Sequence, residues 1–326
     1  MARRWLLTLP ANRRNVGERV LDPRGSGRQT ARMTLDIDVE DFRCTGNEKL
    51  NLKKRPTALK KPLHDSKEEL VAKLRKYQEE IDERQQQMFA QDQYAMLLVF
   101  QAMDAAGKDG TIKHVMSGIN PHGVEVHAFK QPSLEELDHD FLWRSNRALP
   151  GRGKIGIFNR SYYEEVLVVR VHPKILQGQR LPPSTLKSLP KLWEQRYQAI
   201  RNFEKHQTEN GMRIVKFFLH VSKDEQKKRF LERIDNPSKN WKFNDADLKE
   251  RACWDDYQEA YHDAIAATAT KHSPWYIIPA DDKGDMRLLV SAAILAEMKH
   301  LNLEWPVLSK DQQLGLAACR EALIKE

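Results

Sequence analysis

Cysteine is scarce in this chain and long apolar runs are missing. Cys44, Cys253 and Cys319 are its only cysteines in 326 residues, odd in number and without metal-ligand spacing. That excludes a disulfide framework or a zinc knuckle as the organising device and fits reduced thiols in a cytoplasmic protein. No stretch approaches the roughly 18 consecutive apolar residues that a membrane-spanning helix needs. The eleven histidines show no pairing at helical spacing, so His114, His122 and His127 read as structural. No Ser/His/Asp arrangement can be argued from spacing, no internal repeat is present, and no linker is visible after residue 65.

Acidic residues are also scarce at the start of the chain. Residues 1–32 carry eight arginines against Glu18 and Asp22, so this segment holds six of the eight net positive charges. The remainder is close to balanced, which removes the general basicity expected of a nucleic-acid-binding domain. The segment lacks a helical period, and Trp5-Leu6-Leu7 is too short for a signal-peptide core. Residues 1–33 therefore read as a disordered basic tail. Met33 follows directly and is a candidate translation start; the alternative for such an arginine-rich segment is an organelle transit peptide.

What is present is an alternation of apolar strands and helix-length segments. Residues 34–63 are polar and lysine-rich and predict an extended arm. Ser66 with Glu69 predicts a capped helix start, and Leu70, Leu74, Tyr77 and Ile81 recur at helical spacing. Strands are predicted at Tyr94–Phe100, Val124–Phe129, Ile155–Phe158, Ile214–Leu219 and Trp275–Pro279. Helices are predicted at about 111–118, 133–147, 162–170, 184–209, 222–234, 246–271, 285–301 and 309–324. Ser133/Glu136 and Ser222/Glu225 repeat the capping-box pattern. Trp254, Tyr257 and Tyr261, at intervals of three and four, read as a core stripe. Apolar strands separated by helices imply an α/β domain with a parallel sheet covered on both faces, and residues 34–326 read as one domain.

Three segments carry chemistry. The first, Ala102-Met103-Asp104-Ala105-Ala106-Gly107-Lys108-Asp109-Gly110-Thr111, lies between a strand and a helix. Small residues let backbone N–H groups approach an oxyanion at a helix N-terminus, and Lys108 sits where a phosphate-reaching lysine belongs. Ala102 replaces the usual first glycine and Asp109 the usual Ser/Thr, so this is a departure from the Walker A pattern. A carboxylate at Asp104 beside phosphates calls for a metal ion between them, which makes Asp104 the candidate ligand and Asp109 its helper. The second segment, Asn159-Arg160-Ser161-Tyr162-Tyr163-Glu164, follows another strand, and Asn159 stands where an acidic Walker B residue is common. Arg160 offers a fork suited to a phosphate. In the third, residues 227–243, six basic residues face two acids around a Pro-containing turn. That composition suits a lid (about 227–251) closing over an anion, with Asp247 and Arg251 on the following helix.

These motifs together resemble the polyphosphate kinase 2 family over residues 64–305. Val168-Val169-Arg170-Val171-His172-Pro173, Lys216 to Ser222 and Ser273 to Lys283 extend the likeness. The resemblance implies a three-layer P-loop kinase fold, thymidylate-kinase-like, with a central five-stranded parallel sheet and a helical lid. It implies phosphoryl transfer between inorganic polyphosphate and purine nucleotides with Mg²⁺ (or Mn²⁺), without nucleic acid or membrane as partner. It also implies a cytoplasmic homodimer or homotetramer. Carried over, Asp104, Lys108, Asn159, Arg160 and Glu164 are the catalytic set, with Asp104 the metal ligand. Met103, Ala105, Ala106, Gly107, Asp109, Gly110 and Thr111 bind phosphate or nucleotide. Arg229, Arg233, Lys239, Lys242, Asp247 and Arg251 face the polymer from the lid. Asn159 with Glu164 resembles the subclass that accepts both AMP and ADP. Two other readings are an ATP-dependent nucleotide kinase and a non-catalytic nucleic-acid-binding protein that uses the basic tail and lid.

Overall fold

The computed structural model describes residues 37–46 and 49–326; the basic tail and the candidate start at Met33 lie outside the described residues. Its centre is β2 (Ala95–Ala102), every residue of which is buried, as expected of a parallel strand covered on both faces. The chain first lays down the two-residue β1 (Arg43–Cys44) and the long helix α1 (Lys67–Gln91), then β2. After β2 come α2 (Lys108–Val115), β3 (Val124–Ala128), α3 (Leu134–Leu137), α4 (Trp143–Arg147) and β4 (Ile155–Asn159). Then follow α5 (Val168–Val171), α6 (Leu189–Glu209), β5 (Met212–His220), α7 (Lys223–Asp235), α8 (Asp245–Ala252) and α9 (Trp254–Thr268). β6 (Trp275–Pro279), α10 (Lys283–Lys299) and α11 (Lys310–Lys325) end the chain.

The sheet order is β1-β6-β5-β2-β4-β3. The five strands expected from the sequence are all there and mutually parallel. The sixth was not expected: β1 pairs antiparallel with β6, Arg43 opposite Tyr276 and Cys44 opposite Trp275. The segment read as a polar arm therefore supplies an edge strand, because Val39, Cys44, Leu50 and Leu52 within it are buried. Between β2 and β3 the chain travels to one edge; between β4 and β5 it crosses to the other side of β2. The C-terminal ends of β2 and β4 lie side by side, Phe100 opposite Asn159, and ligands of open parallel sheets bind at such a reversal.

Four predicted helices are broken, one of them the 184–209 segment, where a 3₁₀ turn at Thr185–Lys187 ends at extended Ser188 before α6. The 133–147 segment is two short helices, because Asp140 Oδ1 accepts the Leu142 N–H at 2.9 Å and starts a new turn. The 162–170 segment begins as a 3₁₀ turn over Tyr162–Val166 and ends at α5, since His172 precedes Pro173 and leaves helical geometry (ψ 72°). The 246–271 segment divides at Cys253. The caps agree better: Ser66, Ser133 and Ser222 each accept the N–H three residues on, although only Ser133/Glu136 closes both bonds of the box. Among the described residues no helix is long and apolar enough to cross a membrane.

A buried polar cluster ties the strand ends together. Lys216 on β5 and Glu204 on α6 are both inaccessible to solvent and pair at 2.6 Å. Glu204 also accepts the hydroxyls of Tyr162 (2.9 Å) and Tyr163 (2.8 Å) and of Ser273 (2.7 Å). Lys216 donates further to the Thr268 carbonyl at 2.9 Å. Burial, then Glu204, pushes both tyrosine hydroxyls far above their ordinary pKa. The cluster thereby fixes the turn that follows Arg160. Glu204→Gln leaves the Lys216 ammonium buried without a counter-charge, and we expect it to lower stability by about 3–5 kcal/mol in urea unfolding. A loss below about 1 kcal/mol, the range of an exposed pair, would show that the cluster carries no such load.

Candidate phosphate-transfer site

Beyond β2 the chain makes a loop that only small residues allow. Ala105 and Gly107 both have positive φ (61° and 106°), and Gly107 is the N-cap of α2. A Cβ on Gly107 would lie 3.3 Å from Met286 Cε and 3.7 Å from Arg229 Nη1. The helix begins at Lys108, three residues before the position predicted, so the free N–H groups of its first turn belong to the loop itself.

The carbonyls of this loop turn inward onto Arg229. Its Nη1 donates to the Ala106 carbonyl at 2.7 Å and the Ala105 carbonyl at 3.2 Å. Its Nη2 donates to the Ala280 and Asp281 carbonyls at 2.6 and 3.0 Å, and its Nε to Glu225 at 2.8 Å. Only 4% of Arg229 is exposed. The expectation that Arg229 is a lid arginine facing a polymer is therefore corrected: all its donors are engaged inside the protein. Thr111 is corrected likewise, being fully buried with its hydroxyl donating to the Gly107 carbonyl at 3.0 Å. Lys108 is half-buried and bridges the loop's mouth, Nζ to the Ala102 carbonyl, at 3.0 Å. Burial holds its ammonium below the ordinary lysine pKa; Asp104 opposes that shift and Arg160 adds to it.

Arg160 comes from β4 in a left-handed conformation (φ 63°), which costs a non-glycine residue about 1 kcal/mol. The bend is held by its N–H, which donates to the Phe100 carbonyl at 3.1 Å, and it brings Nη2 to 3.2 Å from Asp104 Oδ1. Glu164, four residues on, accepts from the Gln101 amide at 2.9 Å, while the Gln101 oxygen accepts from the N–H and hydroxyl of Ser161. Burial raises the Glu164 pKa; Arg160 and Lys108 pull it back, and Asp104 raises it further. Asn159 behaves differently from the other members of the expected set. Its amide donates to Asp109 Oδ1 at 2.7 Å, so it fastens the first turn of α2 to β4.

Asp104, Arg160 and Glu164 open into a small recess of about 30 Å³ whose other walls include Met103, Asp247, Arg251, Tyr257 and Tyr261. Gln226, which the sequence reading missed, is buried here; it donates to the Asp104 carbonyl at 2.9 Å and accepts from Arg251 at 2.8 Å. A buried glutamine in a charged helix gives no sequence signal. Tyr257 and Tyr261 belong to the core stripe as expected, yet they also line this recess. Asp247 is the N3 residue of α8, closing a capping box with Asn244. On the lid, Arg233 stacks over Phe230 at 5.6 Å, and Lys239 and Lys242 are exposed beside Trp241, itself 78% exposed. A larger recess between α4 and α6 lies apart from the loop; its arginines, Arg144 and Arg196, are held by the Lys130 carbonyl and by Glu165 and Gln179.

A P-loop at the end of the central parallel strand, a lysine across its mouth and an Arg–Asp pair beyond it define a P-loop phosphotransferase. Comparison with known proteins gives the family. The model of polyphosphate kinase 2 matches residues 64–305, and the chain belongs to that family. It is 52% identical over 292 residues to an ADP-polyphosphate phosphotransferase of Rhodopseudomonas palustris, covering 89% of this chain and all of that protein. It is 45% identical to an AMP/ADP-polyphosphate phosphotransferase of Meiothermus ruber, over 69% of this chain and 80% of the relative. The solved polyphosphate kinase 2 of Arthrobacter aurescens superposes with a TM-score of 0.78 at 37% identity, over 88% of this chain and 96% of that one.

The raised pKa of Glu164 has a sign that can be checked. A carboxyl whose folded-state pKa lies above its unfolded value destabilises the fold when ionised, and that penalty vanishes below the unfolded pKa. Glu164→Gln should therefore raise the melting temperature near pH 7, with the gain fading as pH falls through the ordinary carboxylate range. An unchanged or lowered melting temperature at pH 7 would contradict the burial of an ionised Glu164.

Proposed function

We propose that this protein transfers phosphoryl groups from inorganic polyphosphate to AMP and to ADP. The observation that carries the reading is the P-loop with Lys108 across its mouth, facing the Asp104–Arg160–Glu164 recess; the family and the activities named for its relatives support it. Phosphoryl transfer asks for in-line positioning and charge neutralisation, and little covalent work by the protein. The first-turn N–H groups of α2 and Lys108 bind the donor phosphates. Lys108 leaves the Ala102 carbonyl when an oxyanion is offered, because a charge-assisted bond is the stronger one. Arg160, its fork already pointed into the recess, holds the acceptor phosphate. Tyr257 and Tyr261 exclude water from that side, and the exposed Lys239 and Lys242 close over the polymer as the lid moves.

Mg²⁺ (or Mn²⁺) belongs to this reading. The recess holds four carboxylates, Asp104, Glu164, Asp247 and Glu250, against the arginines Arg160 and Arg251, an excess of oxygen ligands that suits a hard cation arriving with phosphates. Asp104 would hold it, with Glu164 facing. When bound, the ion would neutralise charge on the moving phosphoryl group. A homodimer or homotetramer in the cytoplasm completes the reading; the exposed Val307, Leu314, Leu316, Leu323 and Ile324 near the C-terminus support self-association.

Incubation of the purified protein with polyphosphate and Mg²⁺, without ATP, is expected to convert AMP to ADP and, separately, ADP to ATP. Lys108→Ala should lower both rates by about 100-fold while leaving the melting curve cooperative. Product formation that requires ATP as donor would replace this reading with an ATP-dependent nucleotide kinase.

A further inference from the structure

Arg287 has no role in the site described above and no hydrogen-bond partner among the described residues. It lies on the second turn of α10, half-buried, and its Nε is shut off from solvent without a hydrogen-bond acceptor. Among the described residues it makes no hydrogen bond or ion pair; burial lowers its pKa, and Asp282 is the one charge that opposes this. A guanidinium carries five donors and stays charged. Leaving it half-desolvated and unmatched is unfavourable unless an anion completes it.

Its position says which anion. Arg287 Nη2 comes within 3.9 Å of where a Cβ on Gly110 would stand, so the guanidinium lies against the first turn of α2. Lys113 lies one turn further along that face of α2, exposed and without an ion pair among the described residues. Lys283, one turn before Arg287 on α10, is exposed and pairs with Glu232 at 3.8 Å. The three cations thus stand on α2 and α10, two helices that pack against each other, whereas the recess with its carboxylates is walled by Arg160 and Tyr261. A nucleotide phosphate held by Arg160 has no use for them. A polymeric donor does, because its chain continues past the phosphate seated in the loop and each further unit brings a negative charge.

We propose that Arg287, with Lys113 and Lys283, holds the phosphates of the donor chain that lie beyond the P-loop, and so sets the preference for long over short polyphosphate. The inference rests on the polyphosphate-donor reading given above. The rival explanation is that Arg287 merely packs α10 on α2.

The test is steady-state kinetics on wild type, Arg287→Gln and Arg287→Lys, with ADP saturating and either a short donor of three or four phosphates or a chain of several tens. For Arg287→Gln the ratio of kcat/KM on the long donor to that on the short one should fall by about tenfold, the worth of one charge-assisted contact, chiefly through KM. Arg287→Lys keeps the charge and should recover part of the ratio. Melting curves of both variants identify a packing defect, which would lower activity on the two donors equally. An unchanged ratio in a folded variant overturns the role of Arg287. A wild type inactive with every length of polyphosphate overturns the donor assignment itself.

Discussion

The five donors of one buried arginine hold this site together. Arg229 starts on α7, reaches under the P-loop and binds the backbone carbonyls of Ala105, Ala106, Ala280 and Asp281, with Glu225 as counter-ion. Carbonyls that turn inward leave the loop's amides turned outward, which is the arrangement an oxyanion needs. The same contacts fix the end of β6 and the start of α10 relative to the loop. The positive φ of Ala105 is a strained choice for a residue with a Cβ, and Arg229 is what stabilises it. Gln226, one turn earlier on α7, does the parallel task at the Asp104 carbonyl.

Around that frame the charges oppose one another. The ionisation of Lys108, Arg160 and Glu164 is shifted by burial and by their charged neighbours, with Asp104 acting on all three. Glu164 is pushed up and Lys108 down by burial, while Arg160, despite burial, is held above its ordinary value by Glu164 and Asp104. Such a set is poorly satisfied by itself and better satisfied by phosphates and a cation, which is where perturbed groups gather in functional sites. The Glu204–Lys216 cluster, by contrast, is complete; its work is to hold the Tyr162–Tyr163 turn so that Arg160 and Glu164 stay in place.

Much of this was legible in the sequence. The five parallel strands follow from apolar runs of strand length, and Trp275–Pro279 was read to the residue. The loop, Arg160 and Glu164 were legible because their chemistry requires particular residue types next to strand ends. What was not legible depends on tertiary burial. In a run of six basic residues nothing marks Arg229 as the one that turns inward, since the helical face it shares with Gln226 and Phe230 is apolar only at Phe230. Thr111 reads as a phosphate ligand until Met286 is seen covering it. β1 gave no signal because two residues carry too little pattern to show a strand. Arg287 gave no signal at all, sitting in a helix whose other side chains are mostly core.

Replacing Arg229 by lysine tests the central claim, that this arginine shapes the P-loop, most directly. A lysine keeps the charge but, as a point donor, cannot reach four carbonyls on two segments. The account predicts that Arg229→Lys folds with a lower melting temperature and loses about 100-fold in kcat/KM with polyphosphate, the worth of two or three buried hydrogen bonds. Wild-type turnover by Arg229→Lys would contradict it.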